Sequence, residues 1–327
     1  MTISTRLTKS LGLTHPVISA SMAFAGGGKL AAAVSAAGAL GIIGAGYGDR
    51  DWIEAEFKAV GNQKIGCGFI TWALKKQPEL LDAVLEHKPA ALFLSFGDPE
   101  ALIPRIKDAG ALVICQVQTL KDARHAIASG ADIIAAQGAE AGGHGEKRAT
   151  LTLVPEVADH IAAVSPQTLL IAAGGIGDGR GLAAALMLGA DGVLVGSRLW
   201  ASQEAKVGAA MHAAAVAATG DDTIRSQVMD LARKLDWPTR YTARVLRNAF
   251  IDRWHGHEDE LMKVADEEAA KYRAAWIAGD ADRANTFVGE VAGLIRSIEP
   301  ASEIIARMVS DAEAQIERGA AMISPRR

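Results

Sequence analysis

Residues 168–198 read TLLIAAGGIGDGRGLAAALMLGADGVLVGSR. A short apolar run, TLLIAA (168–173), passes through glycines into the alanine-rich stretch Gly179–Leu188, which stops at Leu188-Gly189. A second run, DGVLVG (191–196), then opens. Apolar runs this short and nearly continuous are what parallel strands covered on both faces look like. The stretch between them, ended by glycine, has the length and stop signal of a returning helix. The fold therefore depends on how often this βα unit recurs.

Reading outward, the same kind of run appears at PVISA (16–20), LGIIG (40–44), KIGCGF (64–69), ALFLSF (91–96), ALVICQV (111–117) and ADIIAA (131–136). Helical stretches Lys29–Ala37, Asp51–Val60, Pro78–His87, Pro99–Asp108, Leu120–Ala128 and Val154–Val164 separate them. Starts recur roughly every 20 to 26 residues, about one βα unit, and eight units in strict alternation predict an α/β (β/α)8 TIM barrel rather than an open sheet. One gap is longer, between the sixth and seventh runs. It opens on AAQGAEAGGHGE (135–146), which sets His144 among glycines and alanines at the face where such barrels carry active sites.

Two later loops have the makings of a phosphate site. Gly174, Gly175 and Gly177 follow the seventh run, and Gly196-Ser197 follow the eighth. Glycines let amide groups approach an anion, and a following helix N-terminus adds partial positive charge. The loops after strands seven and eight are a frequent phosphate location in barrels. Other strand ends are selectively polar. Ser21 and Met22 follow the first, Thr71 the third, Gln116 ends the fifth and Gln137 the sixth. Amides and hydroxyls suit the heteroatoms of a flavin ring, and Met22 suits its face.

Half of the residues are hydrophobic, 22% are charged and the net charge is −4, which describes a globular enzyme and gives no footprint for nucleic acid. Cys67 and Cys115 form no metal or disulfide motif and read as reduced residues of a cytoplasmic protein. Residues 11–28 lack charged side chains, but His15-Pro16 and Gly26–Gly28 interrupt them, so a buried strand and turn is expected rather than a signal or membrane segment. Metal ligation by His255 and His257 lacks a third spaced ligand. No oligomeric state follows; a homodimer stands as an option.

The periodicity divides the chain into 1–205, a cofactor-binding barrel, 206–300, a helical subdomain over the active site, and 301–327, a C-terminal helix returning to the barrel. Trp237-Pro238 is expected as a turn on the helical part, and Arg244, Arg247 and Asn248 as one helix face docking it onto the barrel.

AQGAEAGGHGE and LIAAGGIGDGRGLAAALMLGADGVLVGSRLWAS, with HPVISASM near the start and PTRYTARVLRNAF late in the chain, resemble the nitronate monooxygenase family, formerly 2-nitropropane dioxygenases. The likeness covers most of the chain and extends to FMN-dependent enoyl-[acyl-carrier-protein] reductases. It implies an FMN-bearing barrel. The phosphate would sit on Gly174, Gly175, Gly177, Gly196 and Ser197, and the ring against Ser21, Met22, Thr71, Gln116, Gln137, Gly142 and Gly143. His144 would be the catalytic residue, acting as base or as anion-binding group. The implied partners are a nitronate, such as propionate 3-nitronate, and O2. The alternative is an FMN reductase taking hydride from NAD(P)H to an enoyl thioester or quinone; a non-catalytic flavin-binding barrel is a third reading. Ser21 and GFITW (68–72) depart from the family pattern where the substrate should lie.

Overall fold

The computed structural model describes residues 3–323. Eight strands are laid down by the eight apolar runs: β1 (Val17–Ser19), β2 (Ile42–Gly46), β3 (Gly66–Ile70), β4 (Ala91–Ser95), β5 (Leu112–Val117), β6 (Ile133–Gln137) and, after a short β7 (Gly143–Gly145), β8 (Leu169–Ala173) and β9 (Gly192–Val195). The large sheet runs β1-β9-β8-β6-β5-β4-β3-β2, every pairing parallel. Its ends meet through a parallel bridge between Ile18 and Leu40, where Ser19 N–H donates to Leu40 O at 2.9 Å. The barrel is thereby nearly closed, with helices around it.

The strand residues are buried on both faces for a physical reason. Ile18, Ile42, Phe93, Ile114, Ile133 and Ile171 fill the barrel interior, and Leu7 joins this cluster from the N-terminal helix Arg6–Leu11. Alternate residues such as Val17, Ile43, Leu92, Val113 and Leu170 pack outward against helices. Each fully buried Leu or Ile contributes roughly 1.5–3 kcal/mol of transfer free energy. The C-terminal helix Ala301–Ala321 adds Ile304, Ile305, Met308 and Ala312 to that outer layer. It comes so close to the helix Gly179–Met187 that a Cβ on Gly179 would lie 2.4 Å from Ala312 N. Residues 324–327, the tail of the expected 301–327 helix, lie outside the described residues.

The region after Trp200 departs from the all-helical expectation. Alongside helices such as Ala209–Ala217 and Ala265–Ala278 it contains β10 (Thr223–Ser226) and β11 (Thr242–Leu246). These pair antiparallel with each other, and β11 pairs antiparallel with β7, setting Ala243 opposite His144. Arg244 therefore lies on a strand rather than a helix face. Asn248 caps the next helix, Ala249–Trp254, by accepting from Ile251 N–H at 3.0 Å. Three short strands need one another to satisfy their backbone groups, and their partners are far apart in sequence, which local periodicity does not report. Among the described residues no helix is long and apolar enough to cross a membrane.

Candidate active site

The loop after β6 owes its shape to glycines. A Cβ on Gly142 would sit 2.6 Å from Gly289 N, and one on Gly289 2.3 Å from Glu140 O, so the two segments touch backbone to backbone. Gly143 has φ +75° with nothing within 4 Å of a Cβ, so conformation rather than crowding asks for glycine there. The loop's exit into β7 is pinned by Gln137, whose Nε2 donates to His144 O at 3.1 Å. Gln137 Oε1 accepts from Gln116 Nε2 at 3.0 Å and from Gln118 Nε2 at 2.8 Å. Its amide is thus committed to holding the histidine loop.

His144 enters a polar chain. Its Nε2 lies 2.8 Å from Asp230 Oδ2, and the two side chains are only 8% and 4% exposed. Asp230 Oδ1 accepts from Arg233 Nη2 at 2.7 Å. A carboxylate accepts, so the tautomer assigned to neutral His144 carries its proton on Nε2 and presents a lone pair at Nδ1. Burial pushes the His144 pKa below its ordinary 6.5; Asp230 opposes this, and the charges of Arg233 and Arg225 reinforce it. The ring is therefore neutral at neutral pH.

Trp237 stacks on that ring, centroids 3.4 Å apart and planes within 6°. Its place is thus on the histidine, not merely in a turn of the helical part: the indole removes one imidazole face from water. Trp237 Nε1 donates to Tyr47 Oη at 3.0 Å. Phe96 closes the cluster edge-on, 6.2 Å from His144 and 5.0 Å from Trp237. Phe96 holds φ +58°, and Phe24 at the cavity's mouth φ +64°. Such backbone costs a bulky residue roughly 1–3 kcal/mol and is tolerated where surroundings impose it.

A cavity of about 510 Å³ opens beside His144 over the C-terminal ends of the barrel strands, within the ~300–1,000 Å³ typical of cofactor sites. Ser21 and Met22 form part of its wall after β1, Gln116 and Gln137 after β5 and β6, and Gly142 and Gly143 beside His144. Gly174, Gly175, Gly196 and Ser197 line its far side. Thr71 and Gly177 do not line it. Thr71 is fully buried with its hydroxyl unpartnered, and a Cβ on Gly177 would face Val291 at 3.1 Å.

The two glycine loops differ in what they offer an anion. Gly174 and Gly175 hold φ +96° and +73°, a backbone that side chains resist. The helix after them, Gly179–Met187, has its N-terminus taken by its own Asp178 carboxylate, which accepts from Arg180 and Gly181 N–H. The expected dipole contribution there is already answered. The turn Ser197–Trp200 begins at Gly196 with no side-chain cap. Ser197 Oγ accepts from Gly289 N–H at 2.9 Å, which leaves its O–H free to donate.

Sequence reading did not find Asp230, Arg233, Phe96, Gln118 or Tyr47. Asp230 and Arg233 stand three apart on the helix Val228–Arg233, a spacing shared with ordinary surface ion pairs. Nothing local links them to a histidine 86 positions away.

A parallel barrel with a cofactor-sized cavity and a carboxylate-oriented histidine at its mouth defines an oxidoreductase-type site. A nitronate monooxygenase family profile matches residues 4–64 and 72–311, and the chain belongs to that family of flavin-dependent oxidoreductases. A nitronate monooxygenase of Metarhizium robertsii is 36% identical over 91% of this chain and 92% of its own length. An octahydro-1H-indene-4-carboxyl-CoA dehydrogenase of Mycobacterium tuberculosis is 31% identical over 99% of this chain and all (100%) of its own. Among solved structures, FabK of Thermotoga maritima superposes with a TM-score of 0.87 at 34% identity, covering 98% of this chain and 100% of that one.

Proposed function

We propose that this chain holds FMN in the cavity and oxidises alkyl nitronates with O2 to a carbonyl compound and nitrite. The observation that carries the reading is one wall assembly: a neutral, carboxylate-oriented His144 facing the same cavity as the Gly174-Gly175 and Gly196-Ser197 loops. The fit to a phosphate-bearing flavin rests on the positive-φ glycines, the free Ser197 hydroxyl and the uncapped start of Ser197–Trp200. When bound, the flavin supplies an electron acceptor for the carbanion-like nitronate and a route for electrons to O2.

The protein's own contribution is positional and protolytic. Gly174, Gly175, Gly196 and Ser197 would hold the phosphate, and Met22 the apolar side of the ring. His144 Nδ1 makes no hydrogen bond to the described residues, and it can accept the α-proton of a neutral nitroalkane. Asp230 holds Nε2–H and stabilises the imidazolium that results. A preformed nitronate needs no such proton transfer.

This difference fixes a pH dependence. Because burial lowers the His144 pKa below 6.5, the base form dominates at and above neutral pH and is lost only on acidification. The kcat/KM for neutral nitroethane should fall below pH 6.5 and be flat above pH 7; that for preformed ethyl nitronate should lack the histidine limb. A limb centred above pH 7 would overturn His144 as the base. The function itself is tested by oxygen uptake and nitrite release from propionate 3-nitronate, with NADH alone in a parallel cell. Uptake and nitrite with the nitronate are expected; neither would reject the reading.

A further inference from the structure

Asn285 is 1% exposed, yet its Nδ2 has no hydrogen-bond partner among the described residues. The amide's orientation is set by its neighbour. Tyr272 Oη accepts from Asn285 N–H at 3.2 Å, so its own proton goes to Asn285 Oδ1 at 2.9 Å. Turning the amide over would leave that hydroxyl proton without an acceptor, so Nδ2 is the end left over. A buried donor without an acceptor costs roughly 1–3 kcal/mol, and Asn285 stands in the wall of the active cavity.

Arg233 stands in the same wall with a donor to spare. Its Nε donates to Met229 O at 3.2 Å and its Nη2 to Asp230 Oδ1 at 2.7 Å, while Nη1 makes no hydrogen bond to the described residues. The guanidinium lies 5.3 Å from the Phe287 ring centroid and 5.8 Å from that of Tyr47, which fixes its plane and thins the water around it. Asp230 joins the two halves of the site, since the same carboxylate holds His144 on one oxygen and Arg233 on the other.

We propose that Arg233 Nη1 and Asn285 Nδ2 form an oxyanion subsite for a carboxylate carried by the substrate at the end away from its reacting carbon. A guanidinium edge beside an amide N–H₂ matches the two oxygens of a carboxylate, and a short chain spans from there to His144. This deepens the nitronate reading and rests on it for the reacting end. It narrows the substrate class to short nitroalkanes or nitronates bearing a terminal carboxylate.

The test is an anaerobic calorimetric titration of the flavin-loaded protein with 3-nitropropionate and with 1-nitropropane, which differ in the carboxylate. The carboxylated ligand should bind about tenfold tighter or better. Asn285→Asp keeps the oxygen that serves Tyr272 and places a negative charge where Nδ2 stood; it should abolish or reverse that preference. Asn285→Leu, which keeps the volume without charge, should reduce the preference toward equality. Equal affinities in the unmodified protein, or an unchanged ratio in a folded Asn285→Asp protein, would overturn the subsite. No turnover is needed, so the result is separate from failure of nitronate oxidation, which oxygen uptake reads.

Discussion

Replacing His144 with Asn should lower kcat on neutral nitroethane by about 10²–10⁴, the range that a positioned general base supplies, while the visible spectrum still shows bound flavin. The amide of Asn can still donate to Asp230 and keeps the β7–β11 pairing, which uses only backbone at residue 144. What it lacks is a basic nitrogen toward the cavity. On preformed nitronate the loss should be smaller, since the proton has already gone. Steady-state rates on both forms of one substrate check this, and turnover on nitroethane within about threefold of the unmodified protein would sink the role.

Asp230→Asn should cost about as much by a different route. Arg233 holds Oδ1 as an acceptor, so the substituted amide would turn its Nδ2–H₂ toward His144. Nε2 would then have to accept, the proton would move to Nδ1, and the lone pair would leave the cavity. Wrong-tautomer substitutions of this kind cost up to about 10⁴ in kcat. The change also strips a partly buried Arg233 of its counter-charge, and breaking such a pair costs roughly 3–5 kcal/mol. A lowered melting temperature should therefore accompany the lowered rate. The two effects are separated by measuring rates well below that temperature with flavin saturation confirmed. Unchanged kcat on nitroethane in the folded protein would remove Asp230 from the mechanism.

The barrel was legible because each βα unit encodes itself locally. Runs such as ALFLSF and TLLIAA are apolar throughout, as strands between a filled interior and a helical jacket must be, and β4 and β8 formed within them. The cavity walls at Met22, Gln116, Gly143, Gly174 and Ser197 followed from the same count, because a strand's end is known once the strand is. Thr71 was misplaced because the chain turns directly from β3 into the helix Thr71–Leu74, and that turn buries it. β7, β10 and β11 escaped notice because three- to five-residue strands owe their existence to distant partners. Asp230, Arg233 and Trp237 are invisible for the same reason: their contact with His144 exists only after β11 has docked on β7. The chemistry-bearing residue was readable, whereas the residues that set its protonation were not.

Anaerobic rapid mixing of the flavin-loaded protein, once with propionate 3-nitronate and once with NADH, tests the central claim most directly. The account predicts that the nitronate bleaches the flavin absorbance rapidly and that NADH does so slowly or not at all. Rapid bleaching by NADH with no response to the nitronate would contradict it.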